Sequence, residues 1–339
     1  MRFCGRFFLK RKTALFLAML FAFLAVPVYA YFRFIWFTPG AKVYPGKEYL
    51  ELKKGMGASQ VARALDDQGM VHGPWSFLLL AKLTGKEKSL KPGIYRFSGE
   101  SAWEVLGKLS RGDALPLSVT FLPGFTFAEV RQALGNTPGI ENTHFSAKEF
   151  LQMAKPSCGF AEGGIFPDTY ALAYGESALE VLDRAARRLE EKLDALWAAR
   201  EPGLIWQNPC EALVVASLLE KEASKKEERQ KIAGVIEKRL QAAMPLQIDP
   251  TASFAAGRKG APTKDDLKRQ SPFNTYTRLG LPPSPIALAS LDALWAALHP
   301  LRTGALYFVA SGGGEHAFSR TLEEHQAAVR RYRNGAFGK

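Results

Sequence analysis

The sequence predicts an α+β protein that follows a single N-terminal membrane-spanning helix. Three observations lead to this fold class: a long apolar segment at residues 13–37, a short unit of β-rich sequence, glycine turn and helix that recurs after it, and long helical patterns separated by Pro- and Gly-rich loops in the second half. The chain has 339 residues, of which 47% are hydrophobic. This length and composition leave room for about two domains with real cores.

The apolar segment predicts a membrane anchor. Residues 13–37 are long enough to cross a hydrocarbon core, and the basic residues within 1–12 predict a cytoplasmic tail, with the bulk of the chain on the other side. The alternative is a cleaved signal peptide that ends at residues 28–30, where small residues loosely fit a cleavage site. Residues 31–37 remain apolar and aromatic apart from Arg33, which favours a retained helix.

The recurring unit explains the α+β prediction. Helices that begin Ser/Thr-x-x-Glu-Val are predicted at Ser101, with Glu104, and at Thr126, with Glu129. Each pair has the spacing of a capping box, in which the two residues satisfy backbone N–H groups at the start of a helix. A looser copy at residues 57–65 lacks the acidic partner. Strands that alternate with such helices favour small α+β folds.

A buried helix with acidic residues at its end is the first candidate for chemistry. Residues 211–223, EALVVASLLEKEA, form an almost wholly apolar run, which is typical of a buried helix. Burial raises a glutamate pKa, as a general acid at neutral pH requires. We select Glu220, because it shares a face with small residues that leave room for a ligand. Glu222 points the opposite way and is expected to pair with a cation or a loop. The competing interpretation is a helix end with solvated charges.

The loops that follow have the composition of a sugar-binding groove. Residues 246–251 (LQIDPT), 271–276 (SPFNTY) and 280–286 (GLPPSPI) combine stiff prolines with amides and a tyrosine. Residues 306–319 then predict a hairpin with a glycine-rich tip. His316 in that hairpin either lines the groove or has a structural role.

The cysteines and the net charge limit the functional classes. Cys4 precedes the apolar segment, whereas Cys158 and Cys210 are able to pair in an oxidising compartment or to remain separate thiols. The cysteines and histidines have no metal-ligand spacing, so we expect no metal and no cofactor. The net charge of +12 arises partly from the two chain ends. We therefore do not expect nucleic acid as a partner. A basic surface would suit an anionic polymer and anionic lipid headgroups equally well.

These motifs together resemble the YceG-like family of endolytic murein transglycosylases, often called MltG. The patterns LQxDPT, NTYxxxGLPPxPI and, at residues 307–325, YFVAxGxGxHxFSRTxxEH occur in the family's order, and residues 162–170 match its EGxxFPDTY segment. The resemblance implies a LysM-like peptidoglycan-binding module at residues 41–112 and a YceG-like catalytic domain at 113–339. A module that acts only as a spacer is the alternative.

The resemblance also implies the reaction. A lytic transglycosylase cleaves the bond between N-acetylmuramic acid and N-acetylglucosamine without water and leaves a 1,6-anhydro end. Glu220 would donate a proton to the glycosidic oxygen and then accept one from the C6 hydroxyl, while Gln247, Asn274 and Tyr276 would bind the sugar. A hydrolytic muramidase with Asp249 as base, and a non-catalytic scaffold for cell-wall synthases, are the alternatives.

The expected setting follows from the anchor and the substrate. The N-terminus would be cytoplasmic, and the catalytic domain would lie in the periplasm at the inner membrane. The expected partners are glycan strands, the inner membrane and a peptidoglycan synthase. The expected role is termination of nascent strand elongation.

Overall fold

The computed structural model describes residues 5–38, 48–223 and 225–334, and it describes the side chains of the first helix from residue 14 onward. Part of the predicted tail (residues 1–4) and the start of the predicted module (41–47) therefore lie outside the described residues. The chain divides into two compact units. The first comprises the chain up to Leu117 together with Ala173–Gly175, and the second comprises Ser118–Leu172 and the chain from Glu176 onward.

Helices and short strands alternate along both units. The helices in the described residues are α1 (Gly5–Phe37), α2 (Ala58–Asp67), α3 (Pro74–Leu83), α4 (Ala102–Arg111), α5 (Phe127–Gly135), α6 (Ala147–Ala154), α7 (Ala178–Ala198), α8 (Pro209–Glu222), α9 (Arg229–Gln241), α10 (Asp249–Ala255), α11 (Lys264–Lys268), α12 (Leu291–Leu298) and α13 (Leu322–Arg333), with a 3₁₀ turn at Lys226–Glu228. The strands are β1 (Tyr49–Leu52), β2 (Gly93–Arg96), β3 (Leu117–Thr120), β4 (Ile140–Glu141), β5 (Thr169–Leu172), β6 (Glu176–Ser177), β7 (Tyr307–Gly312) and β8 (Glu315–Ser319). The α+β prediction is confirmed.

The first unit packs α2, α3 and α4 around an antiparallel pair of strands. β1 pairs with β2, with Leu50 opposite Tyr95, and both side chains lie in the unit's core. The capping box that opens α4 forms as predicted, because the Glu104 carboxylate accepts from the Ser101 backbone N–H at 2.8 Å. At the looser copy, Gln60 replaces the acidic residue and accepts from the backbone N–H of Gly57 at 2.9 Å.

The second unit holds the remaining helices and three strand pairs. β3 pairs with β5, β4 runs parallel to β6, and β7 and β8 form the predicted antiparallel hairpin. The second predicted capping box also forms, since Glu129 accepts from the backbone N–H of Thr126 at 2.9 Å. A large apolar cluster surrounds α8 and includes residues of α7, α9 and α12. The buried helix with its acidic end is therefore the centre of this unit.

A disulfide and a close approach at a glycine fix loops beside α8. Cys158 and Cys210 form a disulfide, with Cα atoms 5.4 Å apart, which resolves the two alternatives left by the sequence. Gly163 has a φ of +68°, and a Cβ there would lie 2.4 Å from the Cβ of Pro285. Only glycine fits this close approach without displacement of the neighbouring loop. The EGxxFPDTY segment is thus held against the GLPPSPI loop.

Candidate active site

Helix α8 places its last turn at the edge of the core. Pro209 occupies its first turn, and the side chain of Asn208 caps it by accepting from the backbone N–H of Glu211 at 2.9 Å. Residues 212–219 are all buried, as the apolar run predicts. The two carboxylates of the EKE end therefore leave the core in different directions.

Glu220 is held in a buried ion pair. Its Oε1 accepts from Nη2 of Arg229 at 2.9 Å, and the two side chains are 8% and 7% exposed. Its Oε2 accepts from the backbone N–H of Ser290 at 3.0 Å and from the Ser290 hydroxyl. Arg229 also donates to that hydroxyl, at 2.8 Å. Glu220 thus connects α8 to the start of α9 and to the N-terminus of α12 as an acceptor of hydrogen bonds.

Glu222 lies in the opposite environment. Its Oε2 is inaccessible to solvent and has no hydrogen-bond partner within the described residues. Burial raises the pKa of Glu222 to about 7, and the nearby charge of Asp249 acts in the same direction. The expectation that Glu222 would pair with a cation or a loop is not met at Oε2 within the described residues, and Arg229 and Ser290 contact Glu220 instead. Glu222 is thus a carboxyl group that carries a proton up to neutral pH.

Asp249 and Tyr276 complete the surroundings of Glu222. Asp249 is the first residue of α10 and is followed by Pro250, and its Oδ1 accepts from the Tyr276 hydroxyl. Burial and the hydrogen bond to Asp249 both raise the pKa of Tyr276, and the charge of Glu222 adds to the rise. A tyrosine in this setting stays protonated at neutral pH and acts as a donor. It fixes the Asp249 carboxylate beside Glu222.

Gln247 and Asn274 occupy different positions in the same loops. Gln247 is exposed and has a φ of +52°, and its backbone N–H donates to the carbonyl of Thr275 at 3.1 Å. The side chain of Asn274 is fully buried. Its Nδ2 donates to the carbonyls of Asp266, Leu267 and Arg269.

The Asn274 Oδ1 accepts from the backbone N–H of Tyr276 at 3.1 Å. With both ends of its amide engaged by backbone, Asn274 orders the loop that carries Tyr276. The structure therefore brings Asp249 and Tyr276 close to Glu222, while Gln247 and Asn274 are shown only in contact with the backbone of the loops. Substrate binding by Gln247, Asn274 and Tyr276 stays a prediction, and the geometry favours a positioning role for Asn274.

Glu162 is a second protonatable carboxyl that sequence reasoning missed. It lies in the EGxxFPDTY segment, and its Oε1 accepts from the backbone N–H of Phe127 at 2.9 Å, at the start of α5. Burial raises the pKa of Glu162 to about 7, and the charge of Glu129 contributes to the rise. The motif that contains Glu162 was visible in the sequence, but nothing in it indicated that the carboxyl would be buried.

His316 has a structural partner. Its Nδ1 lies 2.7 Å from Oε2 of Glu228, and its backbone N–H donates to Oε1 of the same carboxylate at 2.9 Å. Glu228 belongs to the 3₁₀ turn that follows α8, so this pair holds the β7–β8 hairpin against that turn. Within the described ranges, no group of three or more His, Cys, Asp or Glu side chains is arranged to hold a metal ion.

Comparison with known proteins identifies the family. The model of the YceG-like family matches residues 50–331, so the chain belongs to this family, as its motifs predict. It is 29% identical over 305 residues to the endolytic murein transglycosylase of Bacillus subtilis (strain 168), with 84% of each chain covered. It is 25% identical to the endolytic murein transglycosylase of Streptococcus pneumoniae serotype 2, covering 84% of this chain and 58% of that relative.

A solved structure has a similar fold. The crystal structure of a yceG-like protein from Listeria monocytogenes aligns with a TM-score of 0.52 and 25% sequence identity. The alignment covers 82% of this chain and 98% of that one. The similarity thus extends over most of both chains rather than over one motif.

Proposed function

We propose that this protein is an endolytic murein transglycosylase that cleaves the bond between N-acetylmuramic acid and N-acetylglucosamine and leaves a 1,6-anhydro end. Membership of the YceG-like family and the names of the two relatives support the substrate and the reaction class. The observation that carries the chemistry is Glu222, a buried carboxyl with an unpartnered oxygen and a pKa raised by burial to about 7. One such group is enough for this reaction.

The reaction needs an acid and then a base at the same place. Cleavage of a glycosidic bond passes through an oxocarbenium-like state and requires a proton on the leaving oxygen. Protonated Glu222 donates that proton to the leaving oxygen. The resulting carboxylate then accepts the proton of the C6 hydroxyl while the C6 oxygen attacks C1. The anhydro ring closes, and the carboxyl is regenerated without water. A pKa near the working pH suits a group that performs both transfers.

Asp249 supports both steps by electrostatics. Its negative charge favours the protonated form of Glu222 before the reaction. The same charge stabilises positive charge that develops on the sugar ring in the transition state. The Tyr276 hydroxyl holds the Asp249 carboxylate in place, so Tyr276 acts on the chemistry through Asp249.

The sequence predicts Glu220 as the general acid. The geometry favours Glu222 for that role instead. Three donor groups, from Arg229 and Ser290, direct hydrogens at the Glu220 oxygens. A general acid must itself carry a proton to give away, and a carboxylate that accepts from all sides is poorly suited to this. We assign Glu220 the role of positioning the end of α8, which places Glu222.

The setting that we propose is a membrane surface outside the cytoplasm. The helix Ala14–Phe37 is long and apolar enough to cross a membrane, and the basic residues before it favour a cytoplasmic N-terminus. The disulfide between Cys158 and Cys210 is typical of proteins in oxidising compartments such as the periplasm. Termination of nascent strands and contact with a synthase stay predictions from the sequence.

Analysis of product ends tests the reaction class. Purified sacculi are digested with the full-length protein in detergent, and the released fragments are analysed by mass spectrometry. We expect 1,6-anhydro-muramic ends within a mixture of chain lengths, as endolytic cleavage requires. Reducing ends, as produced by a hydrolytic muramidase in a parallel digestion, would favour the hydrolase with Asp249 as base. The absence of cleavage would favour the scaffold.

A further inference from the structure

The end of α1 is fixed to the first unit by aromatic contacts. The Trp36 indole N–H donates to the backbone carbonyl of Ser76 in α3 at 3.0 Å. The ring of Phe37 stacks on Trp103 of α4 with centroids 5.3 Å apart. Ile35, which precedes them, is 5% exposed. The last turn of α1 is therefore packed against α3 and α4 of the first unit.

The length of α1 places these contacts at the edge of a bilayer. The apolar stretch Ala14–Phe37 has 24 residues, which corresponds to roughly 36 Å of helix. A hydrocarbon core is about 30 Å thick. About four residues therefore lie beyond the core. Arg33, whose guanidinium is 3.5 Å from the hydroxyl of Tyr29, fits the polar boundary at this level.

Two tryptophans of the first unit lie next to this boundary and are largely uncovered. Trp75, at the start of α3, contacts Phe32 with ring centroids 5.8 Å apart and is 53% exposed. Trp103, at the start of α4, contacts Phe37 and is 43% exposed. The ammonium group of Lys86 lies 5.8 Å from the centroid of the Trp103 ring. Exposed tryptophans with adjacent basic groups are typical of the membrane–water interface.

We infer that Trp75 and Trp103 form a docking surface that seats the first unit on the outer face of the bilayer crossed by α1. The proposal rests on the proposed membrane anchor, and it commits to the lipid headgroup region as the occupant of this surface. Continuity with α1 supports this occupant, because the helix that crosses the bilayer carries the two rings with it. Neither a glycan strand nor a second copy of the chain would be brought to the rings by that helix.

The spacing along α1 predicts an order of depth. Trp75 contacts Phe32, and Trp103 contacts Phe37. Five residues of α-helix separate the two contacts by roughly 7.5 Å along the axis. Trp75 therefore lies at the level of Arg33, near the hydrocarbon boundary, and Trp103 lies farther out among the headgroups.

Quenching by brominated lipids measures this order. Full-length wild type, Trp75→Phe and Trp103→Phe are reconstituted in vesicles of phosphatidylethanolamine and phosphatidylglycerol, either unlabelled or brominated close to the headgroup. The fluorescence lost on bromination is compared among the three proteins. We expect Trp75→Phe to remove the larger share of the quenchable signal and Trp103→Phe a smaller but measurable share. Trp36 and the three tryptophans of the second unit are present in all three proteins, so the comparison reports the difference made by each substituted ring.

Flotation separates failure of this proposal from failure of the anchor. Each protein is floated with its vesicles after an alkaline wash. A protein that does not float lacks the anchor, and the docking surface then fails with it. A protein that floats while both substitutions leave the quenchable signal at the wild-type value has an anchor but no docking surface. A larger loss in Trp103→Phe than in Trp75→Phe would also overturn the proposal. Sacculus cleavage in detergent does not depend on either outcome.

Discussion

Glu220 and Glu222 differ by two positions on one helix, and their surroundings give them opposite properties. Glu220 faces α9 and α12, where Arg229 and Ser290 supply hydrogen bonds to both of its oxygens. Glu222 faces α10, where an oxygen is buried without a partner and the neighbouring charge is negative. The same side chain therefore accepts hydrogen bonds at both oxygens at one position, whereas at the other burial favours its neutral form.

Substitution of Glu222 should have the largest effect on activity. Glu222→Gln keeps the shape of the side chain but can neither donate a proton to the glycosidic oxygen nor accept one from the C6 hydroxyl. We expect release of anhydro-muropeptides from sacculi to fall by about 10²- to 10⁴-fold, the usual contribution of a general acid or base. Glu227→Gln, on the exposed side of the 3₁₀ turn, is the matched control and should retain wild-type activity.

The stability of the Glu222→Gln variant provides a second check. Because burial raises the pKa of Glu222 from 4.5 to about 7, the folded chain binds this proton more tightly than the unfolded chain. The stability that this proton contributes is fully present below pH 4.5 and is lost as the pH rises through about 7. The glutamine variant should therefore be at least as stable as wild type at pH 8. Unfolding of the variant at that pH would mean that lost activity says nothing about catalysis.

Substitution of Glu220 should act mainly on stability. Glu220→Gln leaves the buried guanidinium of Arg229 without its counter-charge, and breaking a buried ion pair costs about 3 to 5 kcal/mol. In a unit of this size we expect the midpoint of thermal unfolding to fall by roughly 6 to 20 °C. Below that midpoint, cleavage should fall much less than in Glu222→Gln.

The double variant Glu220→Gln with Arg229→Gln sharpens the test. Removal of both charges should restore part of the lost stability, since the coupling of the pair disappears with both partners. If Glu220 is instead the general acid, as the sequence predicts, Glu220→Gln should abolish cleavage. A Glu220→Gln protein with a wild-type melting curve and no cleavage would restore Glu220 as the acid.

The sequence predicted the elements well because their signals are local. The capping boxes at Ser101 and Thr126 involve residues three positions apart, and both form. The environments of Glu220 and Glu222 depend instead on distant residues. Ser290 is 70 positions from Glu220, and no helical pattern indicates which face it will meet.

Local reasoning thus selected Glu220 at this helix end together with the loops that follow it, but it had no information on the surroundings that distinguish Glu220 from Glu222. Periodicity places Glu220 and Glu222 on different faces of α8. It cannot tell which face meets a cation, because Arg229 lies beyond a turn whose geometry the sequence does not fix. Burial of Glu162 was hidden for the same reason, since it depends on Phe127 at the start of α5.

The role of Asp249 predicts a shift in the pH profile. If protonated Glu222 is the acid, activity falls as the pH rises through about 7. Asp249→Asn removes the charge that helps to raise the pKa of Glu222, so the falling limb should move to lower pH. If the pKa falls by half a unit, the cleavage rate at pH values above the pKa should be about threefold lower. Cleavage rates measured from pH 5 to pH 9 would show this displacement, with activity near pH 5 changed less than activity at pH 8.

Glu162→Gln is the control for that profile, because the pKa of Glu162 is also raised by burial to about 7. The charge of Glu162 does not contribute to the raised pKa of Glu222. In this variant the cleavage rate should therefore fall over the same pH range as in wild type. The opposite result would be a fall in cleavage rate with pH that disappears in Glu162→Gln and is unchanged in Asp249→Asn. It would assign the group that titrates near pH 7 to Glu162 and remove Asp249 from the mechanism.

A smaller effect than at Glu222 is expected at Tyr276, whose hydroxyl acts through Asp249. Tyr276→Phe removes the donor that fixes the Asp249 carboxylate but leaves the ring and the loop, which Asn274 holds by its own hydrogen bonds. We expect a loss of about tenfold in cleavage rate, the lower end of what one positioned polar contact contributes when it tightens in the transition state. In the Asp249→Asn background the further loss should be smaller, since the tyrosine then has no carboxylate to position. Equal losses in both backgrounds would mean that Tyr276 contacts the sugar directly, as the sequence predicts, and a loss as complete as that in Glu222→Gln would place Tyr276 in the proton transfer itself.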